Sequence, residues 1–416
     1  MAVTDRKHFR MSLTAATAGL LAGTAATTKA EELYNDWKVE LGYLRYQEAD
    51  RVSVDSYIAD LGGNLSNSDN IQVGIVYDTM TGSTPTGAIP GEDSVTITGV
   101  SGGSVSAGTS NGALAPFDDT RLALDSTWTH EFKRQIRTNV GVYTSVESDY
   151  TAIGGSLGGE YDTASRNTTF SLALGFASDE ISRTGEETPE PLADIKDAEM
   201  YGPGRKNTFD GLIGFSKVLN KYTIAQMNYS FSRSVGYHTD PYKVVSVADE
   251  EDNFYKNIYE KRPAERTRHI LYSKINHELP QSGNHLMASY RYYLDDWGIR
   301  SHTLESSYAF NVKSDAFVMQ PFVRLYYQNA ADFYQRTIEY DETIDGKYYV
   351  EPDYVSADLR LAEMFAYTIG AKMSYQTQKY GTVSLRVGYM DQSFYNAVFD
   401  ENKALFVSIS FGQDFE

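Results

Sequence analysis

Serine, histidine and acidic residues between positions 285 and 305 are the first candidates for chemistry. Ser301 and His302 are adjacent, so on a strand they point to opposite faces and cannot act together as nucleophile and base. Ser289, Glu305 and His285 can share one face, but no motif joins them. The sequence also contains no phosphate-binding loop, dinucleotide fingerprint or HExxH motif. We therefore predict that the chain is not an enzyme and has no catalytic residues.

A second candidate is a metal site formed by two histidines. His277 and His285 flank a short predicted turn at 280–282, and cross-strand neighbours come close enough to share a metal ion. Two histidines are only half of a typical zinc site, and no third ligand is evident. We favour ordinary histidines near a membrane interface, with no metal and no cofactor, and keep the metal pair as the weaker alternative.

Charged residues in the second half of the chain suggest ion selection in a pore. If the apolar faces of the predicted strands point outward, the opposite faces of strands eleven to fifteen carry a mostly basic set: Arg291, Glu305, Arg324, Lys372 and Arg386. Basic side chains that line an aqueous path favour anions. On strand ten, Arg266, Arg268 and Lys274 can face either way, whereas strands five to nine present mostly Gly, Ser, Ala and Asn inward. The alternative is that these charges pair with acids on inward-folded loops, or are simply hydrated.

An alternation of apolar and polar residues predicts the strands that position these side chains. For example, Leu405, Val407, Ile409 and Phe411 alternate with smaller or polar residues, which is the pattern of a strand with two different faces. We place sixteen strands at 35–47, 51–62, 70–79, 118–131, 134–148, 151–163, 166–180, 206–218, 221–235, 265–279, 283–296, 299–312, 315–329, 361–377, 380–391 and 403–414.

The lengths of the connections distinguish a membrane barrel from a soluble sandwich. The five longest all follow odd-numbered strands: 80–117, 181–205, 236–264, 330–360 and 392–402. The connections after even-numbered strands are short. In an up-and-down barrel, odd and even connections lie at opposite ends, and long extracellular loops with short periplasmic turns are typical of outer-membrane barrels. We interpret the polar loops as solvated surface segments, and keep the alternative that one or more fold inward as a plug.

The composition agrees with an exported membrane barrel. The 416 residues carry a formal net charge of −19, which argues against nucleic-acid binding, and contain no cysteine, which excludes disulfides and thiolate sites. Tyrosine is abundant, with 32 residues, and suits the two membrane–water interfaces. We predict an aromatic girdle that includes Trp37, Trp128, Tyr290, Tyr292, Tyr308, Tyr375 and Tyr389.

The N-terminal residues have the three parts of a secretory signal. Arg6, Lys7 and Arg10 are basic, 13–26 is short and apolar, and Thr28-Lys29-Ala30 offers a cleavage site. We predict a signal peptide at 1–30 and a single barrel domain at 31–416.

Two segments are similar to a known family. Arg262 to Glu305, which includes Ser289-Tyr290-Arg291-Tyr292-Tyr293-Leu294-Asp295-Asp296-Trp297-Gly298, and Asp78-Thr79-Met80-Thr81-Gly82-Ser83-Thr84-Pro85 resemble the bacterial DUF3570 domain-of-unknown-function family. The resemblance covers nearly the whole mature chain. It implies an exported, barrel-like protein and transfers no catalytic residues.

Together, these observations predict an all-β transmembrane antiparallel up-and-down barrel of about sixteen strands in the outer membrane of a Gram-negative bacterium. The favoured function is a porin-like channel for small solutes with a partly basic lumen. One alternative is a closed or plugged barrel that serves as a structural component of an envelope complex, and another is a barrel-embedded enzyme. The expected partners are outer-membrane lipid, the barrel-assembly machinery and, for the structural alternative, an envelope partner protein.

Overall fold

A computed structural model describes residues 37–89, 95–98, 104–107, 113–183, 185–249, 251–312, 314–340, 351–377 and 381–415. The predicted signal peptide lies outside these residues. The barrel strands are β1 (Trp37–Glu48), β2 (Ser53–Asn64), β3 (Asp69–Pro85), β4 (Leu114–Lys133), β5 (Ile136–Val146), β6 (Tyr150–Asp162), β7 (Thr168–Ile181), β8 (Gly204–Asn220), β9 (Thr223–Gly236), β10 (Glu265–Glu278), β11 (His285–Asp295), β12 (Arg300–Val312), β13 (Ser314–Gln328), β14 (Glu363–Gln376), β15 (Thr382–Tyr395) and β16 (Glu401–Phe415).

These sixteen strands form one closed antiparallel barrel in which each strand pairs with its neighbours in the chain. The barrel closes where β1 pairs with β16, from Trp37 opposite Phe415 to Glu48 opposite Ala404. Closure leaves no unpaired strand edge, which a strand-built protein requires within a bilayer. The predicted fold class and strand number are confirmed.

The outer face of the barrel is apolar and the inner face is largely polar. Leu41, Leu172 and Ile213 are exposed on the outside, although each is large and apolar. A soluble protein would bury such a continuous band, whereas a bilayer covers it with lipid. The protein is therefore an integral outer-membrane protein of a Gram-negative bacterium. Among the described residues, no helix has the length and apolar character needed to cross a bilayer.

A charge on this apolar face should destabilise the inserted barrel. Leu174, near the middle of β7, is exposed on the outside, and we expect Leu174→Arg to lower the free energy of unfolding in lipid vesicles by about 2–4 kcal/mol. The matched control is Ser171→Arg, because the side chain at position 171 points into the lumen. This substitution should lower the free energy of unfolding much less. Equal losses for the two variants would contradict the assignment of the faces.

The long connections follow odd-numbered strands, as predicted, with one correction. Four long connections (86–113, 182–203, 237–264 and 329–362) all lie at one end of the barrel. The predicted fifth, at 392–402, is wrong, because β15 and β16 continue their pairing to Ser393 opposite Glu401 and leave only 396–400 between the strands. We call the end with the long connections the loop end and the other the turn end. By the pattern of outer-membrane barrels, the loop end is extracellular and the turn end is periplasmic.

Parts of the long connections fold together over the loop end, so the interpretation as solvated loops is wrong for them. Three short strands form a sheet across two connections (Val244–Ala248, Phe254–Tyr259 and Thr337–Glu339). We call 86–89, 192–195, 237–264, 329–340 and 351–362 the cap. The remaining small strands of the long connections are Val95–Thr98, Ser104–Ala107, Thr188–Pro189 and Met200–Tyr201, and a 3-10 turn spans Leu359–Leu361.

The cap has an apolar core of its own. Its members come from three connections and are almost completely buried: Leu192, Val245, Val247, Ile258, Ile338, Val355 and Ala357. Burying a side chain of this size contributes roughly 1.5–3 kcal/mol. Backbone hydrogen bonds also join the connections, such as that from the Val244 amide to the Thr86 carbonyl (2.9 Å) and that from the Leu192 amide to the Tyr259 carbonyl (3.1 Å). The cap is therefore a folded unit that covers the lumen.

A buried network of charges ties two of the long connections together. Arg262 contacts Glu260 at 2.6 Å and Asp358 at 2.8 Å. Arg360 contacts Asp358 at 2.5 Å and Asp240 at 2.6 Å. Burial alone would raise the pKa of the Asp358 carboxyl, but the surrounding cations outweigh it and hold this pKa well below its ordinary value. Asp358 therefore stays ionised, and the network links 237–264 to 351–362.

Candidate functional site

The five predicted lumen residues all lie on inward-facing positions. Glu305 lies opposite Arg324 in the register of β12 and β13, and Lys372 lies opposite Arg386 in that of β14 and β15. Arg291 lies opposite Thr303 on β12. Arg386 places its guanidinium 4.3 Å from the centre of the Phe322 ring. The structure also resolves the facing of β10, where Arg266, Arg268 and Lys274 point inward. The role of the five predicted lumen residues in ion selectivity stays a prediction.

The opposite wall of the lumen is acidic, which the sequence analysis missed. Asp60 and Asp125 lie on either side of Gly74 in the register, and a side chain at Gly74 would collide with both carboxylates. Further acids on the inner face are paired: Asp78 with Arg121 at 2.5 Å and Glu160 with Arg137 at 2.8 Å. The lumen is therefore polarised, with acids concentrated on β1–β8 and cations on β10–β15.

The two ends of the lumen differ in exposure. Several inward-facing side chains near the turn end are exposed, and include Lys38, Asp60, Asn276, Lys372 and Arg386. Inward-facing side chains near the loop end are buried, and include Tyr46, Met80, Ser145, Asp179, Ser234 and Gln392. The lumen is thus accessible from the turn end and covered at the loop end.

A cavity of about 460 Å³ lies between the cap and the barrel wall. Residues from β6, β7, β8 and β10–β15 line it, together with residues of the cap. Its cations are Lys206, Arg262, Arg266, Arg268, Arg291, Arg324 and Arg360, and its acids are Glu147, Asp149 and Asp240. Aromatic side chains, among them Tyr293, Trp297 and Tyr326, separate the charged groups. This cavity is the candidate functional site because it combines enclosure with charge.

The turn at 295–298 positions one side of this cavity. Asp295 accepts hydrogen bonds from the backbone amides of Trp297 (3.2 Å) and Ile299 (2.9 Å), and Gly298 has a φ of 82°. The other carboxylate oxygen of Asp295 contacts Arg266 at 2.6 Å. Trp297 is 3% exposed, and its ring packs 4.2 Å from the Arg266 guanidinium. The turn is structural, and it also fixes two residues of the cavity wall.

Two acids at the opposite side, Glu147 and Asp149, come from the turn between β5 and β6, and Asp119 on β4 lies beside them. Oxygen atoms of Asp119, Glu147 and Asp149 lie within 4.8 Å of one another. Burial, followed by the negative charges of Asp119, Glu147 and Asp240, raises the pKa of Asp149 to about 7, and a hydrogen bond with Tyr242 opposes the rise. Asp149 therefore changes its charge near neutral pH.

This titration predicts a pH-dependent ion preference. Since Asp149 is neutral well below pH 7 and ionised well above it, raising the pH from about 6 to 8 adds a negative charge to the cavity. We expect the anion-to-cation permeability ratio to fall over this interval, with a midpoint near 7. Asp149→Asn should flatten the profile, and the reversal potential in a salt gradient measures it. A profile that is unchanged by the substitution would contradict this role of Asp149.

The structure does not bring the other candidates together. His277 lies opposite Leu286 on the outward face, whereas His285 lies opposite Glu278 on the inward face. Because the two histidines differ in register by one residue, their rings lie on opposite faces of the sheet. The alternative of a shared metal site is therefore wrong. Ser301 is buried on the inner face, and His302 points outward, where its Nδ1 lies 2.6 Å from the Tyr290 hydroxyl.

The predicted girdle residues all occupy outward-facing strand positions, as the register shows for Tyr375 opposite Val383 and Phe317. Trp128 and Tyr290 are each 42% exposed. A belt at the membrane interface stays the prediction for their role.

The chain matches one protein family and is similar, at low sequence identity, to several solved structures. A family described as "Protein of unknown function (DUF3570)" matches residues 10–406. No curated protein has a detectable match. Similar solved structures include a bacterial polysaccharide outer membrane secretin (9% identity, TM-score 0.47, 92% of this chain and 100% of that one) and OccK3 (OpdO) of Pseudomonas aeruginosa (9%, 0.42, 92% and 96%). The siderophore receptor PirA of Acinetobacter baumannii is also similar (10%, 0.43, 88% and 54%), and this chain spans about half of its length.

Proposed function

This chain belongs to the DUF3570 family of proteins of unknown function, and we propose that it is a gated outer-membrane channel for small charged solutes. The barrel supplies the wall, and the cap is the gate at the outer end. Opening separates 237–249 and 251–264 from 329–340 and 351–362, so that the cavity joins the outside to the lumen. In the proposed closed state, the cap covers the outer end and the lumen opens toward the periplasmic end.

The observation that carries this proposal is the contrast between the two ends of the lumen. A barrel that serves only as a scaffold has no need of exposed charged side chains inside its periplasmic half, such as Lys372 and Arg386. A permanently open pore, in turn, would not have a folded cap with a buried core. A closed gate above a charged, hydrated lumen accounts for both features.

Conductance of the purified, folded protein in a planar lipid bilayer tests the proposal. We expect discrete openings from a closed baseline, because the cap closes the outer end at rest. In a salt gradient the reversal potential should be close to zero at neutral pH, since acids and cations both line the lumen. Protein that is folded and inserted but never conducts, at any applied voltage, would refute the channel function.

The cap also favours a second candidate, a permanently closed barrel that holds an envelope partner protein. Its apolar core and its buried ion network are more extensive than a loop needs for solubility. This candidate predicts no openings and stable co-purification with one envelope protein after cross-linking in intact cells. Discrete single-channel openings would exclude it.

A further inference from the structure

Two cations lie side by side on the inner wall of the barrel, between the cavity and the turn end. Lys372 on β14 lies directly opposite Arg386 on β15, and both side chains are exposed to the lumen. Like charges in directly opposite positions destabilise a sheet. Within the described part of the chain, neither cation has a carboxylate oxygen within 4 Å. The pair therefore presents positive charge to the lumen, and an anion bound there would offset it.

Two phenyl rings lie beside Arg386 on the same wall. The guanidinium carbon of Arg386 lies 4.3 Å from the centre of the Phe322 ring and 5.8 Å from the centre of the Phe406 ring. The two ring centres are 6.5 Å apart, and the ring planes differ by 29°. The three groups are close enough together for one small molecule to contact the cation and both apolar surfaces at the same time.

Glycines on the two central strands make room for these rings. Phe322, Gly370, Gly388 and Phe406 are consecutive positions in the register of β13–β16. A Cβ atom at Gly370 would collide with the Phe322 ring, and one at Gly388 would collide with the Phe406 ring. The rings therefore lie over the glycine backbone and lean toward each other, and both stay partly exposed to the lumen.

The contacts of Arg386 leave its hydrogen-bond donors available. Its guanidinium lies over the Phe322 ring, and it donates no hydrogen bond to another residue within the ranges that the structure describes. A guanidinium group that rests on an aromatic ring can still present its N–H groups at its edge. Guanidinium and carboxylate groups form paired, charge-assisted hydrogen bonds. The edge of Arg386 therefore fits a carboxylate.

We infer that Phe322, Lys372, Arg386 and Phe406 form a binding site for a small aromatic carboxylate. The carboxylate lies between the Arg386 guanidinium and the Lys372 ammonium. The aromatic ring of the solute contacts Phe322 and Phe406, since offset and edge-to-face contacts between rings are favourable. The inference rests on the proposed function, because it names a class of solute that the channel would carry.

Fluorine NMR of three small probes tests this site in the detergent-solubilised protein. The probe 4-fluorobenzoate has both the ring and the negative charge, whereas 4-fluorobenzamide has only the ring and fluoroacetate has only the charge. The fluorine signal of a probe broadens when the probe binds. We expect 4-fluorobenzoate to bind saturably and at least tenfold more tightly than either of the other two. Protein-free micelles provide the blank for partition into detergent.

Two variants separate the contributions of the charge and the rings. Arg386→Gln should weaken the binding of 4-fluorobenzoate at least tenfold, and Phe322→Leu with Phe406→Leu should remove its preference over fluoroacetate. The matched control is Lys274→Gln, which removes another inward-facing cation, on β10, and should change nothing. Circular dichroism and the gel mobility of the unheated protein establish the folding of each variant.

Four outcomes would overturn the inference. Fluoroacetate that binds as tightly as 4-fluorobenzoate would indicate a simple anion site, and 4-fluorobenzamide that does so would indicate a simple apolar site. No saturable broadening with any probe would exclude a site, and binding that neither variant weakens would place it elsewhere in the protein. The measurement needs no flux. A protein that conducts without binding overturns only this site, and one that binds without conducting overturns only the proposed channel.

Discussion

Replacing Arg262 with Met is expected to turn a mostly closed channel into a mostly open one. The substitution leaves Glu260 and Asp358 buried without the guanidinium that they share. Removing one partner of a buried ion pair costs about 3–5 kcal/mol, which corresponds to a change of about 150- to 5,000-fold in an equilibrium. Because the network joins two of the long connections in the cap, this cost falls on the closed state. The open probability in a planar bilayer measures the effect.

Arg336→Met is the matched control for this prediction. Arg336 belongs to the same connection as Asp358 and contacts Asp252 at 2.8 Å, but this ion pair lies on the surface of the cap. Exposed ion pairs contribute little to stability. We expect wild-type gating from this variant. An Arg262→Met protein that is folded and as closed as the wild type would show that the network does not hold the gate.

Reversing two charges in the cavity is expected to make the channel prefer cations. Arg291→Glu together with Arg324→Glu removes two positive charges from one wall and adds two negative charges. At an effective dielectric constant of 20, a unit charge about 8 Å from an ion interacts with it by about 2 kcal/mol. The cation-to-anion permeability ratio should therefore rise at least tenfold. The reversal potential in a salt gradient gives this ratio directly.

Lys217→Glu controls for the change in net charge. Lys217 lies near the turn end of β8 and points outward, so its charge does not reach the cavity. This variant should keep the reversal potential of the wild type. An unchanged reversal potential in the double variant, at normal conductance, would place the ion path away from the cavity.

The sequence predicted the barrel well because period-two alternation is a local property. The alternation from Leu405 to Phe411 is enough to predict a strand with one apolar face. The pairing of β16 with β15 then fixes the register between the two strands. The inward position of Arg291, Arg324 and Arg386 followed from the same parity. Strand β10 was ambiguous because both of its faces mix apolar and charged residues, and only its pairing with β9 and β11 resolves which face is inward.

The cap and the acidic side of the cavity could not be predicted in this way. Val244–Ala248 is apolar on both faces and lies in a connection, so no alternation distinguishes it from an unpaired segment. Its burial depends on Ile258, Ile338 and Val355, which are distant in sequence. Glu147 and Asp149 look like ordinary turn acids, and only barrel closure places them across from β13.

A reversible cross-link in the cap tests the gated channel most directly. Lys261 and Val355 face each other in an antiparallel bridge between two of the long connections, with two backbone hydrogen bonds of 2.9 Å. Such a pair has a Cα separation of about 5.5 Å, which a disulfide can span, and the chain has no other cysteine. In a Lys261→Cys, Val355→Cys protein, we predict that oxidation abolishes single-channel openings and that reduction restores them. Equal conductance in the oxidised and reduced states would contradict a gate that opens between these connections.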